Sequence, residues 1–333
     1  VTDLAFTDCT VQAWVETYPI RGQFRISRGS KTEAHVVVCR ISAGGTSGHG
    51  ECVPYARYGE TVESVLAAIR EASEELGPTF DHQRLSVVLG PGAARNALDC
   101  ALWDLQAKLS GRRAHLLVCS QPPRPVETAY TISLDEPDAM ADAARSASRR
   151  SVLKIKLGGP DDIAAMHAVV AAAPRSRIIV DANEAWAPDT MAELMREATR
   201  LHIALVEQPL PAGQDEMLAE IPHPVPICAD ESAHTANDLD ALRTRYDAVN
   251  IKLDKAGGLT ESLRMRERAR ELGFGVMVGC MVGTSLSMAP AVLLAQDAEY
   301  VDLDGPLLLA RDRQHGLDYA GSTVSPPRAD LWG

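Results

Sequence analysis

No stretch of this chain stays apolar for the roughly 18 residues that a membrane-spanning helix needs. The N-terminal Val1-Thr2-Asp3-Leu4 has neither the basic residues nor the apolar run of a secretion leader. Basic charge is scarce as well: 33 Lys and Arg stand against 45 Asp and Glu, a net charge of −12. A protein that grips nucleic-acid backbone needs a basic face, so that class is excluded, as is a membrane partner. The seven cysteines (Cys9, Cys39, Cys52, Cys100, Cys119, Cys228, Cys280) include no C-x-x-C pair, which argues against a disulfide framework or a thiolate zinc site and for a cytoplasmic location. His49, His115, His202, His223 and His234 fall at no ligand spacing. What remains is a chain of 333 residues, 46% hydrophobic and 23% charged, long enough for one large barrel and a smaller unit.

From about residue 125 onward, eight short apolar runs recur: 127–132, 153–157, 178–181, 204–207, 227–230, 249–252, 276–279 and 301–304. Taking Thr131, Lys156, Asp181, Glu207, Asp230, Lys252, Gly279 and Asp302 as markers near their ends, the steps are 22 to 27 residues. A strand, a helix and two short loops take about that length, and eight such units close a parallel barrel. Segments 161–173, 190–200, 237–245, 259–272 and 285–295 carry apolar residues at helical spacing. The expected fold class is α/β: a (β/α)8-type, modified TIM barrel with an N-terminal α+β capping domain. In residues 1–120, strands are expected near 11–15 and 34–41 and helices over 62–76 and 93–109, with Gly44-Gly45 and Gly48 to Gly50 at turns. The Pro-rich 121–125 is the linker, 125–320 the barrel, and 321–333 a terminal segment that packs back on the capping domain.

The active site of a parallel barrel lies at the C-terminal ends of its strands. Asp181, Glu207 and Asp230 end three successive runs, and three converging carboxylates suit a hard divalent cation, Mg²⁺, one per subunit. Lys154 and Lys156 share one strand face on one side of them. Lys252 comes four strands later, diametrically opposite in an eight-stranded barrel. Two lysines facing each other across a metal can address both faces of a substrate carbon, one removing and one returning a proton. Cations nearby depress a lysine pKa, so Lys154 is expected to tune Lys156. Such a site performs proton abstraction next to a carboxylate. Asp302 and Asp304, spaced for one strand face, would bind a cationic group on the substrate. Gly257-Gly258 is expected to shape a strand-to-helix turn.

Lys154-Ile155-Lys156, Asp181-Ala182-Asn183, Val206-Glu207-Gln208-Pro209, Ala229-Asp230-Glu231-Ser232 and Asn250-Ile251-Lys252-Leu253 resemble the signature of the enolase superfamily, muconate-lactonizing subgroup. The similarity extends to Gly50-Glu51-Cys52 and to 93–104 in the first domain. Gly279-Cys280-Met281 at the seventh strand end offers no His-Asp pair, which sets the chain apart from the mandelate-racemase subgroup.

Within the subgroup, Asp302-Leu303-Asp304-Gly305 resembles the dipeptide epimerases, in which this pair binds the α-ammonium. The resemblance implies epimerisation of the C-terminal residue of a dipeptide, L-Ala-D/L-Glu first, by two-lysine proton transfer through an enediolate, in the setting of cell-wall peptide recycling. It also implies that Thr131, Cys280 and Met281 line the substrate site. A cation on the loop around 24–31 would read the distal carboxylate: Arg28 first, then Lys31 and Arg25. The alternatives are an N-acylamino acid racemase or an o-succinylbenzoate synthase-like enzyme of the same superfamily, and outside enzymes an inactive metal-dependent binding protein. A homo-oligomer is compatible with all of these.

Overall fold

The computed structural model describes residues 4–333; Val1-Thr2-Asp3, read above for a leader, lie outside the described residues. The chain begins with an antiparallel sheet of β1 (Thr10–Ile26), β2 (Gly29–Ala43) and β3 (Thr46–Cys52). Helices α1 (Val62–Leu76), α2 (His82–Val88), α3 (Ala93–Ser110) and α4 (His115–Val118) follow. Side chains alternate across β2 because a strand has a period of two. Val37, Cys39 and Ile41 pack into a core with α1 and α3, while Val36 and Val38 join the barrel's core.

Gly48 and Gly50, expected at turns, instead lie inside β3. A Cβ on Gly48 would stand 2.1 Å from the Ala101 carbonyl oxygen, and one on Gly50 2.1 Å from that of Ala97. These glycines let α3 approach the sheet backbone to backbone. Gly44-Gly45 does form the β2–β3 turn. The segment 24–31, read as a loop, is the tip of the long β1–β2 hairpin, with Ile26 pairing Gly29.

The barrel then runs β4 (Val126–Glu127), β5 (Tyr130–Ile132), α5 (Pro137–Ser146), β6 (Val152–Lys156), α6 (Asp162–Ala172), β7 (Arg177–Asp181), α7 (Pro188–Arg200), β8 (Leu205–Glu207) and β9 (Ile227–Ala229). After these come α8 (Leu239–Leu242), β10 (Ala248–Ile251), α9 (Leu253–Ala256), α10 (Leu259–Leu272), β11 (Gly275–Val278), α11 (Ser285–Leu294), β12 (Tyr300–Val301) and α12 (Gly305–Leu308). Strands β5 to β12 form one parallel eight-stranded sheet in sequence order. It closes on itself where Ala129 N–H donates to the Val301 carbonyl at 2.8 Å. The expected strand 127–132 is two pieces, since β4 leaves the barrel to pair with β14 (Thr323–Val324), itself paired with β13 (Tyr319–Ala320). The expected helix 237–245 shrinks to a 3-10 turn, Ala236–Asp238, and one turn of α8. Trp332 is buried against the first domain, its Nε1 donating to the Cys100 carbonyl at 3.0 Å. Among the described residues no helix is long and apolar enough to cross a membrane.

Candidate active site

The barrel interior has an apolar floor. Ala129, Val152, Ile179, Leu205, Cys228, Ala248 and Met277, one from each of seven strands or their leading edges, form a separate buried cluster, with Tyr300 packed against it from the eighth. Alternation brings the inward face back two residues later. The residues at those positions are Thr131, Lys154, Asp181, Glu207, Asp230, Asn250, Gly279 and Asp302, and one further step gives Lys156, Lys252 and Asp304. The polar ring above the floor therefore follows from register alone, and β6, β7 and β8 hold Lys156, Asp181 and Glu207 level with one another.

These side chains are nearly all inaccessible to solvent. Lys156 Nζ lies 2.6 Å from Asp181 Oδ2, and Lys252 Nζ 2.6 Å from Asp230 Oδ2. Lys154 Nζ stands among three carboxylates, at 2.7 Å from Glu207, 2.8 Å from Asp302 and 3.1 Å from Asp181. Burial alone would lower the Lys154 and Lys252 ammonium groups; the facing carboxylates outweigh it and hold both above the ordinary lysine value. Burial likewise raises carboxyls, but Lys156 and Lys154 bring Asp181 below the usual range, and Lys252 and Lys255 do so for Asp230. Glu207 stays raised, by burial and by the neighbouring Asp181 charge. Asp304 is pushed up to about 7 by burial and by Asp302 beside it.

Among the described residues no three His, Cys, Asp or Glu side chains stand ready-made as a metal cage, because Asp181 and Asp230 each turn an oxygen toward a lysine. The donor set nevertheless suits a hard cation. Asp181, Glu207 and Asp230 are consecutive around the ring, all are buried, and all offer oxygen. Glu207 Oε2 accepts no hydrogen bond among the described residues, although Lys154 lies at an ion-pair distance of 2.7 Å. Neighbours fix the other oxygens: Asn250 Nδ2 donates to Glu207 Oε1 at 2.8 Å, and Asn183 N–H to Asp181 Oδ1 at 2.9 Å. Lys255 Nζ holds Asp230 Oδ1 at 2.6 Å.

The remaining candidates divide. Thr131 N–H donates to Asp304 Oδ2 at 2.6 Å, and Asp302 Oδ1 is buried with no partner. Met281 is buried and Cys280 half-buried beside these two acids. Arg28 reaches the mouth but is committed there: one guanidinium nitrogen lies 2.6 Å from Glu231 and another 2.9 Å from Glu184. The Lys31 side chain makes no hydrogen bond or ion pair among the described residues and its Nζ sits 5.4 Å from the Tyr55 ring centre. Arg25 turns outward to Asp135 at 3.8 Å. Gly257 and Gly258, at φ +85° and +109°, turn the chain from α9 into α10, and Arg95 Nε donates to the Gly257 carbonyl at 3.1 Å.

Sequence reasoning passed over Lys255, Glu231, Glu184 and Arg57 as individual side chains. Lys255 carries no signal in the sequence, because it lies in the turn after β10 and reaches Asp230 only through the path of α9.

Comparison with known proteins places the chain in a family. Residues 138–329 match the model described as enolase C-terminal domain-like, and residues 9–118 that of the mandelate racemase / muconate lactonizing enzyme N-terminal domain. An N-acetyl-D-glutamate racemase from a Pseudoalteromonas species is 46% identical over 288 residues, covering 86% of this chain and 91% of that protein. The L-Ala-D/L-Glu epimerase of Escherichia coli K12 is 43% identical over 312 residues, 93% of this chain and 97% of that one. A crystal structure of an enolase family member from Agrobacterium tumefaciens with homology to dipeptide epimerases, bound to sodium and L-Ala-L-Glu, superposes with a TM-score of 0.96 at 56% identity, over 98% of this chain and 100% of that one. The dipeptide epimerase of Enterococcus faecalis V583, complexed with Mg and L-Leu-L-Tyr, gives 0.89 at 26% identity, over 97% of each chain.

Proposed function

Because the chain belongs to the enolase superfamily, in its mandelate racemase and muconate lactonizing branch, we propose that it is an isomerase that epimerises the C-terminal residue of a dipeptide, L-Ala-D/L-Glu first among them. The observation that carries this reading is the opposed pair Lys156 and Lys252, buried at the C-terminal ends of strands four apart and each pinned at 2.6 Å by a carboxylate.

Asp181, Glu207 and Asp230 would hold a divalent cation, Mg²⁺ by the hardness of the donors. Such an ion would offset the charge that builds on the substrate's carboxylate as its α-proton leaves. Lys156 takes the proton from one face of the α-carbon and Lys252 returns one to the other, or the reverse, giving the enediolate a choice of faces. Lys154, fixed among Glu207, Asp302 and Asp181, cannot swing to a substrate carbon; it keeps a positive charge in the ring, where it helps offset the charge of the enediolate. Asp302, with one buried oxygen unpaired, and Asp304 beside it receive the α-ammonium. Lys31, the free cation of the hairpin tip, reads the distal carboxylate, with Arg28 shaping the mouth beside it.

A second reading has a specific basis. The Pseudoalteromonas relative is named for N-acetyl-D-glutamate, which has no ammonium for Asp302 and Asp304 to bind. Proton NMR in D₂O with L-Ala-L-Glu, other L-Ala dipeptides and N-acetylglutamate separates the two. Loss of the C-terminal α-proton signal with appearance of the L-Ala-D-Glu diastereomer supports the epimerase. Turnover confined to the N-acyl compound would overturn the role given to Asp302 and Asp304.

A further inference from the structure

Above the ring of acids and lysines stands a second charged cluster that the proposed chemistry does not use. It centres on Glu184, in the loop after β7. Asn183 and Glu184 have φ of +46° and +68°, two consecutive non-glycine residues in the left-handed region, a strained conformation that the surroundings must sustain. The turn brings the Glu184 carboxylate, 7% exposed, under the capping domain. There it collects four N–H donors. Arg57 donates twice, from Nε and Nη2, each at 2.8 Å. Arg28 Nη1 donates at 2.9 Å, and the Ala212 backbone N–H, from the loop after β8, at 2.9 Å.

Arg28 belongs to the β1–β2 hairpin tip and Arg57 to the 3-10 turn Ala56–Tyr58. One barrel carboxylate thus holds both capping segments that overlie the mouth. The hairpin is seated closely: Ser27 Oγ and Arg28 Nη1 donate to the Asn183 carbonyl, and a Cβ on Gly158 would come within 2.5 Å of the Ser27 Cβ. The same hairpin carries the Phe24 ring, 5.9 Å from Lys156 Nζ, and Lys31. We propose that Glu184 is a positioning residue, a clasp that closes the hairpin and the Ala56–Tyr58 turn together over the barrel mouth and so sets where Phe24 and Lys31 meet the substrate. The part of this that concerns substrate rests on the epimerase reading; the clasp itself does not.

Closure contributes to binding in both ground and transition states, so its loss falls on KM rather than kcat. In Glu184→Gln, hydrogen–deuterium exchange should rise about tenfold in segments 22–32 and 54–60 together, while α1 is unchanged, and KM for L-Ala-L-Glu should rise about tenfold with kcat within about twofold. Arg57→Ala, whose side chain lies at the rim, should raise exchange in segment 54–60 while Arg28 keeps the hairpin on Glu184, and the double variant should be no worse than Glu184→Gln, since Glu184 is the partner Arg57 loses. Unchanged exchange in both segments, or additive effects of the two variants, would overturn the clasp. A wild-type protein inactive on every dipeptide, with exchange still raised in Glu184→Gln, would sink the proposed function and leave the clasp standing.

Discussion

Replacing Lys154, Lys156 and Lys252 each by alanine should give the same chemical defect for Lys156 and Lys252 and a different stability for Lys154. All three substitutions delete the same buried methylenes, so differences in stability come from the carboxylates left behind. In Lys252→Ala, Asp230 keeps Lys255 at 2.6 Å; in Lys156→Ala, Asp181 keeps Lys154 at 3.1 Å. Lys154→Ala strips the one cation shared by Glu207, Asp302 and Asp181. Breaking a buried pair so that a charge is left alone costs about 3–5 kcal/mol. Lys154→Ala should therefore be less stable than the other two by at least about 2 kcal/mol in guanidinium unfolding with EDTA present, where no divalent ion can compensate. For activity, losing a general acid or base costs about 10²–10⁴-fold, so Lys156→Ala and Lys252→Ala should lose epimerisation by that much. Each should still wash the α-proton out of one diastereomer in D₂O, and the two variants should choose opposite diastereomers. Inversion at wild-type rate by either variant would refute the two-base assignment. Equal stability of the three would refute the charge accounting.

Three further outcomes are expected. Mg²⁺ added to EDTA-treated protein should raise the unfolding midpoint and restore activity; at a hundred times Kd the gain is about 2.7 kcal/mol, and Asp181→Asn should abolish it. Lys31→Ala should raise KM for L-Ala-L-Glu by about an order of magnitude and leave a neutral C-terminal residue unaffected, while Arg28→Ala, which strands the buried Glu231, should weaken turnover of both. Asp254 is fully buried between the domains, accepting from Val53 N–H and Asn96 Nδ2 at 2.9 Å each, and burial pushes its carboxyl up to about 7. A carboxyl raised in the folded state favours folding below its ordinary pKa near 4, and that contribution is lost as pH rises through 7. Unfolding free energies measured from pH 4 to 7 should therefore fall less steeply in Asp254→Asn than in wild type, by up to about 1.4 kcal/mol per pH unit.

The barrel was legible because its signal is periodic. A two-residue alternation places Lys154, Asp181, Glu207 and Asp230 directly above an apolar floor, and both floor and ring can be read from the strand runs without coordinates. The capping domain was legible where its pattern is strong, in helices such as α1 and in the buried stretch of β2. Its long hairpin was not: β1 is solvent-exposed over much of its length and has no clean apolar alternation, so only its first residues were read as strand. Gly48 and Gly50 misled for a related reason. A glycine in sequence signals a missing side chain, and whether it serves a turn or a close approach depends on what packs against it, here α3.

The same limit explains Arg28 and Glu184. A cation in a mouth-lining hairpin looks like a substrate ligand until its partners are known, and those partners, Glu231 and Glu184, sit 203 and 156 residues away in sequence. Short-range pattern can therefore find the residues that chemistry needs at strand ends. Which of the surrounding charges face the substrate, and which only hold the lid, is decided by pairing across the two domains, and that pairing leaves Lys31 rather than Arg28 with an unspent charge.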